Sequence, residues 1–139
     1  MSRVVSMRLK EAEADRLLRL SRRLRRSVSE TAALLVSEKL REEEFVLIEF
    51  RSSPLGRQPY VKGTSLAVWE VVLVARQLGM DARRAAEHLA WPEERVRAAL
   101  AYAEAYPEEV EPLVGKAEAV TVDQLKRRLP WLERVSVSV

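Results

Sequence analysis

The chain begins with an alternating segment that has no partner strand nearby in the sequence. Residues 3–9 read Arg-Val-Val-Ser-Met-Arg-Leu. Because successive strand side chains point to opposite faces, one face is apolar and carries Val5, Met7 and Leu9. A strand must pair to satisfy its backbone hydrogen bonds, and a predicted helix follows at once. We therefore expect this segment to pair with the same segment of a second chain about a two-fold axis.

Two basic helices with apolar stripes are predicted after this strand. The first covers residues 11–24, the turn covers 25–30, and the second helix ends near residue 43. Some forty residues are too few for an independent core, so we expect an intertwined dimer to be the folding unit. The stripes consist of Ala14, Leu17, Leu18, Ser21 and Leu24 in the first helix, and Ala32, Leu35, Val36 and Leu40 in the second.

The charge of the chain is unevenly distributed. Residues 1–43 carry 11 basic and 7 acidic side chains, a net charge of +4, whereas residues 44–139 carry 13 basic and 14 acidic side chains, a net charge of −1. A basic excess confined to a small module is typical of a DNA-binding part joined to a neutral part with a different task.

The composition disfavours several other classes of protein. There is no cysteine, His88 is the single histidine, and no Gly-rich phosphate loop is present. We therefore expect no enzyme, no metal site and no cofactor, and we interpret His88 as a packed or surface helix residue. The N-terminus lacks a signal peptide and no apolar run spans a membrane, so we expect a cytoplasmic protein without a membrane partner.

The order strand, helix, turn and helix over residues 3–43, with Ser-Val-Ser-Glu at 27–30, resembles the ribbon-helix-helix family of MetJ- and Arc-like repressors. In that family a two-stranded ribbon enters the major groove of DNA. The resemblance implies base contacts from the polar face of the strand, at Val4, Ser6 and Arg8. It also implies that the turn holds the DNA backbone, with phosphate contacts from Arg25, Arg26, Ser27, Val28 and Ser29.

The turn has one expected cap and one departure from the family. Ser27 and Glu30 have the spacing of a capping box at the start of the second helix. Many members of the family have glycine where this chain has Arg25. A left-handed conformation at Arg25 would cost roughly 1 kcal/mol, because the residue carries a Cβ.

The second part of the chain is predicted to hold three short helices with short flanking strands. The predicted elements are a strand at 45–50, a turn at 52–56, an extended piece at 61–64 and helices at 67–78, 81–90 and 92–106. The tight turns between the helices indicate a homeodomain-like or helix-turn-helix arrangement, so the whole chain is expected to be mainly α with short β. We assign core positions to Trp69, Trp91, Tyr102 and Tyr106.

Residues 45–112 also resemble a known family, the VapB-type antitoxin domain, or domain of unknown function 433. The matching residues are Gly63-Thr64, Leu66, Val68-Trp69, Gly79-Met80, residues 99–102 and Tyr106-Pro107. This chain has Ser65 where the family usually has arginine. With the ribbon-helix-helix part, the expected domains are residues 1–43, 44–115 and 116–139.

The charges argue against DNA binding by the third helix of this domain. Residues 92–111 contain two arginines and six glutamates. A surface of this sign would repel phosphates. We therefore interpret the domain as a protein-binding part or a second dimerisation surface, with a scaffold that has no partner of its own as the alternative.

The C-terminal segment is the candidate for binding a protein partner. A helix is predicted at 122–129, and residues 134–139 alternate as a half-exposed strand. This strand would pair with the one at 45–50 or add to the sheet edge of another protein. The candidate contact residues are Trp131, Leu132, Val135 and Val137.

The two resemblances together imply the antitoxin of a type II toxin–antitoxin system that also represses its own transcription. The implied partners are double-stranded DNA, a second copy in a homodimer or a higher even oligomer, and a PIN-like ribonuclease toxin. The main alternative is a stand-alone ribbon-helix-helix regulator without a toxin. A further alternative is an interaction protein whose dimer never meets DNA.

Overall fold

The computed structural model of this chain describes residues 2–128. Within that range the chain is mainly helical, with six α-helices and one short two-stranded antiparallel sheet. This confirms the expected class of a mainly α protein with short β-strands. The chain divides into two compact units with the boundary between Glu43 and Glu44. We call them the N-terminal unit and the C-terminal unit.

The N-terminal unit contains an extended start and two helices. Residues 2–10 have no regular secondary structure within the chain. Helix α1 spans Glu11–Leu24, which confirms the predicted bounds, and helix α2 spans Val28–Glu44. Two acidic residues in the first turn of α1 and two arginines in its last turn favour the helix dipole.

A hairpin opens the C-terminal unit. Strand β1 (Ile48–Ser53) pairs antiparallel with strand β2 (Gly56–Val61), from Ile48 opposite Val61 to Ser53 opposite Gly56. Pro54 and Leu55 connect the strands, and the positive φ of 97° falls on the next residue, Gly56, which has no Cβ to strain it.

The predicted strand at 45–50 was therefore placed three residues too early, and the strand at 56–61 was missed. The Ile48 N–H donates to the Phe45 carbonyl at 2.9 Å in a turn, so ladder pairing begins only at Ile48. Pro59 disfavoured a strand in the sequence, because proline cannot donate to a ladder. Here it lies opposite Phe50 in a two-stranded sheet, in which both strands are edge strands and tolerate proline.

Three helices follow the hairpin, close to their predicted positions. They are α3 (Val68–Gln77), α4 (Ala82–Leu89) and α5 (Glu93–Ala105). Asp81 caps the start of α4, because its carboxylate accepts the N–H groups of Arg83 and Arg84 at 3.0 and 3.2 Å.

Helix α6 (Pro107–Arg128) corrects one prediction. The sequence predicted a separate helix at 122–129, but the helix begins at Pro107 and is continuous across residue 115, where a domain boundary was expected. Proline at the first helical position fits the required φ and has no N–H to lose. Pro112 removes one further hydrogen bond, and packing of Val110 and Val114 into the core offsets this loss.

The apolar core lies in the C-terminal unit. Its fully buried members include Ile48, Val61, Val68, Val71, Val96 and Tyr102. The core roles predicted for the aromatic residues are confirmed, because Trp69, Trp91 and Tyr106 pack against this cluster. The predicted strand at 134–139 and the candidate partner residues Trp131, Leu132, Val135 and Val137 lie outside the described residues.

Candidate nucleic-acid interface

The first segment of the chain is exposed along its whole described length. Every described residue from Ser2 to Lys10 is exposed, and Val4 retains 96% of its accessible surface. Within the described chain, residues 2–9 make no strand-type backbone hydrogen bonds. The base-contacting residues predicted from the sequence, Val4, Ser6 and Arg8, are thus all on the surface and accessible to a ligand.

The segment's two faces have different surroundings. Met7 and Leu9 line an apolar cavity of about 300 Å³ between the segment and the two helices, whereas Val4 and Arg8 do not. The remaining lining comes from Glu13, Arg16, Leu17, Leu20, Ala32, Leu35 and Val36. Met7 and Leu9 of the predicted apolar face are therefore directed to the cavity, whereas Val5 of the same face is 80% exposed and does not line it. We call this cavity the apolar groove.

The unit that holds the apolar groove buries no apolar side chain among its described residues. The buried residues of the N-terminal unit in that range are Ser21, Thr31 and Glu38. Leu18, Val36 and Leu40 are 39%, 44% and 65% exposed. The two helices therefore leave much apolar surface in water, which is unfavourable by about 25 cal/mol for each Å².

The turn between α1 and α2 is held in a left-handed conformation. Arg25 has φ of 55° and ψ of 44°. This lets the Arg25 N–H donate to the Arg22 carbonyl at 3.2 Å and the Arg26 N–H donate to the Ser21 carbonyl at 3.0 Å. These bonds cap the C-terminus of α1. The left-handed conformation considered from the sequence at Arg25 is thus present in the structure.

The start of α2 combines a side-chain cap with open backbone donors. The Glu30 N–H donates to Ser27 Oγ at 3.0 Å, and the Thr31 hydroxyl donates to the Ser27 carbonyl at 2.9 Å. Within the described chain, the N–H groups of Val28 and Ser29 have no hydrogen-bond partner. Exposed N–H groups at a helix N-terminus attract anions. All five predicted phosphate-contacting residues, from Arg25 to Ser29, are exposed and contiguous.

The C-terminal unit uses much of its charge internally. The Tyr102 hydroxyl donates to Glu109 at 2.7 Å, Arg76 pairs with Glu111 and Glu118, and Arg97 pairs with Glu93. Hydrogen bonding to Glu111 raises the pKa of Arg76 above its ordinary value, with the charges of Glu111 and Glu118 acting in the same sense. Several of the glutamates that argued against DNA binding are therefore paired with other residues of the same unit and stabilise its helices.

The Gly63-Thr64 string has a structural role in the fold. Gly63 adopts φ of 77°. Thr64 Oγ1 donates to the Val61 carbonyl at 2.8 Å and accepts the Leu66 N–H at 3.2 Å, while Arg51 donates to the Thr64 carbonyl at 2.7 Å. These bonds close the turn between β2 and α3. Ser65, at the family's arginine position, is exposed.

Sequence reasoning missed two features of these surfaces. Leu20 was not assigned to the first apolar stripe, yet it lines the apolar groove beside Leu17. The contacts of Arg51 were not predicted, although it pairs with Glu49 and lies 4.8 Å from the centre of the Tyr60 ring. The i, i+2 spacing of Glu49 and Arg51 on one strand face was the signal that would have identified the pair.

Metal binding and membrane spanning find no support among the described residues. Among them no group of three or more His, Cys, Asp or Glu residues is arranged to hold a metal ion. Within residues 2–128, none of the helices has both the length and the apolar content needed to cross a membrane. The chain matches no protein-family model, no curated protein and no solved structure.

Proposed function

We propose that this protein is a homodimeric transcriptional regulator that binds DNA through a ribbon formed by the first segments of two chains. The observation that carries the proposal is the open apolar groove of the N-terminal unit. Met7 and Leu9 line it, and the described residues of this unit bury no apolar side chain. A second copy would cover the groove and bring two apolar stripes together.

Strand pairing between the copies accounts for the exposed first segment. Residues 2–9 leave their backbone groups unpaired within the described chain, and an antiparallel partner satisfies them about a two-fold axis. In such a ribbon, Val4, Ser6 and Arg8 lie on the face away from the apolar groove. Arg8 can donate two hydrogen bonds to the major-groove edge of guanine, and Val4 can contact a thymine methyl group.

The turn supplies contacts that position the ribbon without reading sequence. The N–H groups of Val28 and Ser29 and the cations Arg25 and Arg26 are all exposed at the start of α2. A DNA phosphate at this position would accept from the helix N-terminus and offset the two positive charges. The strand would then provide specificity and the turn would provide affinity.

Substitution of Arg8 tests whether the ribbon recognises the base sequence of DNA. Duplexes are first selected from a random pool with the full chain, and affinities for selected and scrambled duplexes are then measured by fluorescence anisotropy. We expect Arg8→Ala to lower the discrimination between them by about 1–3 kcal/mol for each guanine that the arginine would have bound. Lys62→Ala, which removes an exposed cation from the C-terminal unit, serves as the control and should leave discrimination unchanged.

Two results would contradict the proposal. If Arg8→Ala kept the same sequence preference, the ribbon would have no part in readout. If light scattering found a monomer at every concentration at which DNA binds, the paired strand would be excluded. Circular dichroism of Arg8→Ala should match that of the unsubstituted chain, since Arg8 is exposed.

Silencing of a PIN-like ribonuclease toxin stays a prediction that rests on the VapB-type resemblance. The candidate contact residues, including Trp131 and Leu132, lie outside the described residues, so no geometry bears on them. Copurification of the chain from its native host, with mass spectrometry of bound proteins, distinguishes an antitoxin function from that of a stand-alone regulator. A small nuclease recovered in stoichiometric amount supports the antitoxin, and its absence favours the stand-alone regulator.

A further inference from the structure

The second half of α1 carries an exposed arginine cluster that neither the ribbon nor the turn uses. It consists of Arg19, Arg22 and Arg23, and we call it the α1 arginine cluster. We propose that this cluster contacts backbone phosphates of the same duplex and so widens the DNA-binding surface beyond the ribbon and the turn. The inference rests on the function proposed above.

The cluster has no compensating negative charge nearby in the sequence or in the described structure. Between Asp15 and Glu30 the sequence contains six arginines and no acidic residue. None of the three cluster side chains forms an ion pair with another described residue. Two helix arginines of the C-terminal unit differ, because Arg83 pairs with Glu87 and Arg97 pairs with Glu93 along the same helix.

Helix stability does not account for all of the cluster. Arg22 and Arg23 lie in the last turn of α1, where a cation favours the helix dipole. Arg19 lies before that turn, where the dipole effect fades. It is also an i, i+3 and i, i+4 neighbour of the other two, and like charges at these spacings destabilise a helix. An external anion would relieve this repulsion.

The dimensions of the cluster suit a nucleic-acid backbone. From Arg19 to the end of α1 the helix rises roughly 7.5 Å. One strand of duplex DNA carries a charge about every 3.4 Å along its axis, so a segment of this length that lies along the duplex would span two or three phosphates. The cluster also continues directly into Arg25 and Arg26, the phosphate-contacting residues expected at the turn. Because the cluster adjoins the residues that would contact phosphates in the proposed function, duplex DNA is the favoured partner.

The test is the salt dependence of DNA affinity for the full chain. The variant combines Arg19→Gln, Arg22→Gln and Arg23→Gln. Arg16 is left unchanged because it borders the apolar groove. The matched control removes three exposed cations from the C-terminal unit, through Lys62→Gln, Arg83→Gln and Lys116→Gln. Affinity for the selected duplex is measured by anisotropy between about 50 and 200 mM salt, which is roughly a fourfold change in concentration.

Removal of three phosphate contacts should flatten the salt dependence strongly. Each contact contributes about 0.9 to the slope of log affinity against log salt, so the fall in affinity across the range should shrink by about 40-fold relative to the unsubstituted chain. The matched control should keep the original slope, and discrimination between selected and scrambled duplexes should persist in both variants. Circular dichroism melting checks that both variants remain folded.

Each alternative outcome has a distinct meaning. An unchanged slope in the cluster variant, with DNA still bound by the unsubstituted chain, would overturn this inference and leave the proposed function intact. An equal change of slope in the matched control would mean that net charge alone causes the effect, and it would also overturn the inference. If the unsubstituted chain bound no DNA at any salt concentration, both the inference and the proposed function would fail.

Discussion

The two units of this chain solve the problem of burying apolar surface in different ways. The C-terminal unit encloses a core in which Val68, Val71 and Tyr102 are fully buried. The N-terminal unit is built from two amphipathic helices, yet its described residues include no buried apolar side chain. Helix content alone therefore does not show whether a unit can fold without a partner, because a helix in a protein is stabilised mainly by the packing of its apolar face.

The charged residues of the two units also differ in what they contact. In the C-terminal unit, charges such as Arg76 and Glu111 join one helix to another. In the N-terminal unit, the arginines of the α1 arginine cluster face solvent without an ion pair to any described residue. One unit thus directs its side chains inward to stabilise itself, and the other leaves both apolar and cationic side chains available to partners.

The largest effect is expected from Tyr102→Ala in the C-terminal unit. This substitution removes a fully buried ring that contacts Phe45, Phe50 and Tyr106 and a hydroxyl bonded to Glu109. The free energy of unfolding should fall by about 3–5 kcal/mol, independent of protein concentration. Urea denaturation followed by circular dichroism measures this change. A decrease below about 1 kcal/mol would contradict the self-contained core.

An intermediate effect is expected from Leu17→Ala in the apolar groove. If a second copy covers the groove, this truncation should destabilise the dimer by about 2 kcal/mol or more, and the effect should grow on dilution. Leu55→Ala, at a hairpin position that is 63% exposed, is the matched control and should change little. Sedimentation equilibrium measures the dissociation constant, and equal constants for both variants would contradict a role of the groove in dimerisation.

The smallest effect is expected from glycine substitutions at one strained backbone position in each unit. Arg25 and Ala90 both end a helix with φ of 55°. Glycine adopts this conformation without a Cβ penalty, so Arg25→Gly and Ala90→Gly should each raise the free energy of unfolding by about 0.5–1 kcal/mol. Thermal melts provide the measurement. A decrease in stability for Arg25→Gly alone would mean that the arginine side chain makes a stabilising contact in the dimer.

Local signals predicted the helices well. The apolar period and the charged ends placed α1 at its observed bounds, and Asp81 identified the start of α4 through its side-chain cap. Such features depend on residues a few positions apart, so they can be interpreted without knowledge of the fold. The left-handed conformation at Arg25 was instead considered because the resembling family often has glycine at that position, and the structure shows it.

Elements that depend on distant packing were harder to predict. Two prolines and one glycine between 107 and 115 argued for a break, but the burial of Val110 and Val114 keeps α6 continuous. Strand β2 was missed because Pro59 disfavours a ladder, although an outer strand tolerates it. At the candidate interface the residues could be named from the sequence. The pairing of residues 3–9 depends on a second molecule and stays a prediction.

The open groove also has a consequence for how much of the protein is active in a cell. If a second copy completes the N-terminal unit, mass action makes the formation of a competent regulator depend on the square of the chain concentration. Early in expression, most chains would present a finished C-terminal unit beside an incomplete N-terminal one. If the dimer also represses transcription as proposed, repression would then set in over a narrow range of abundance.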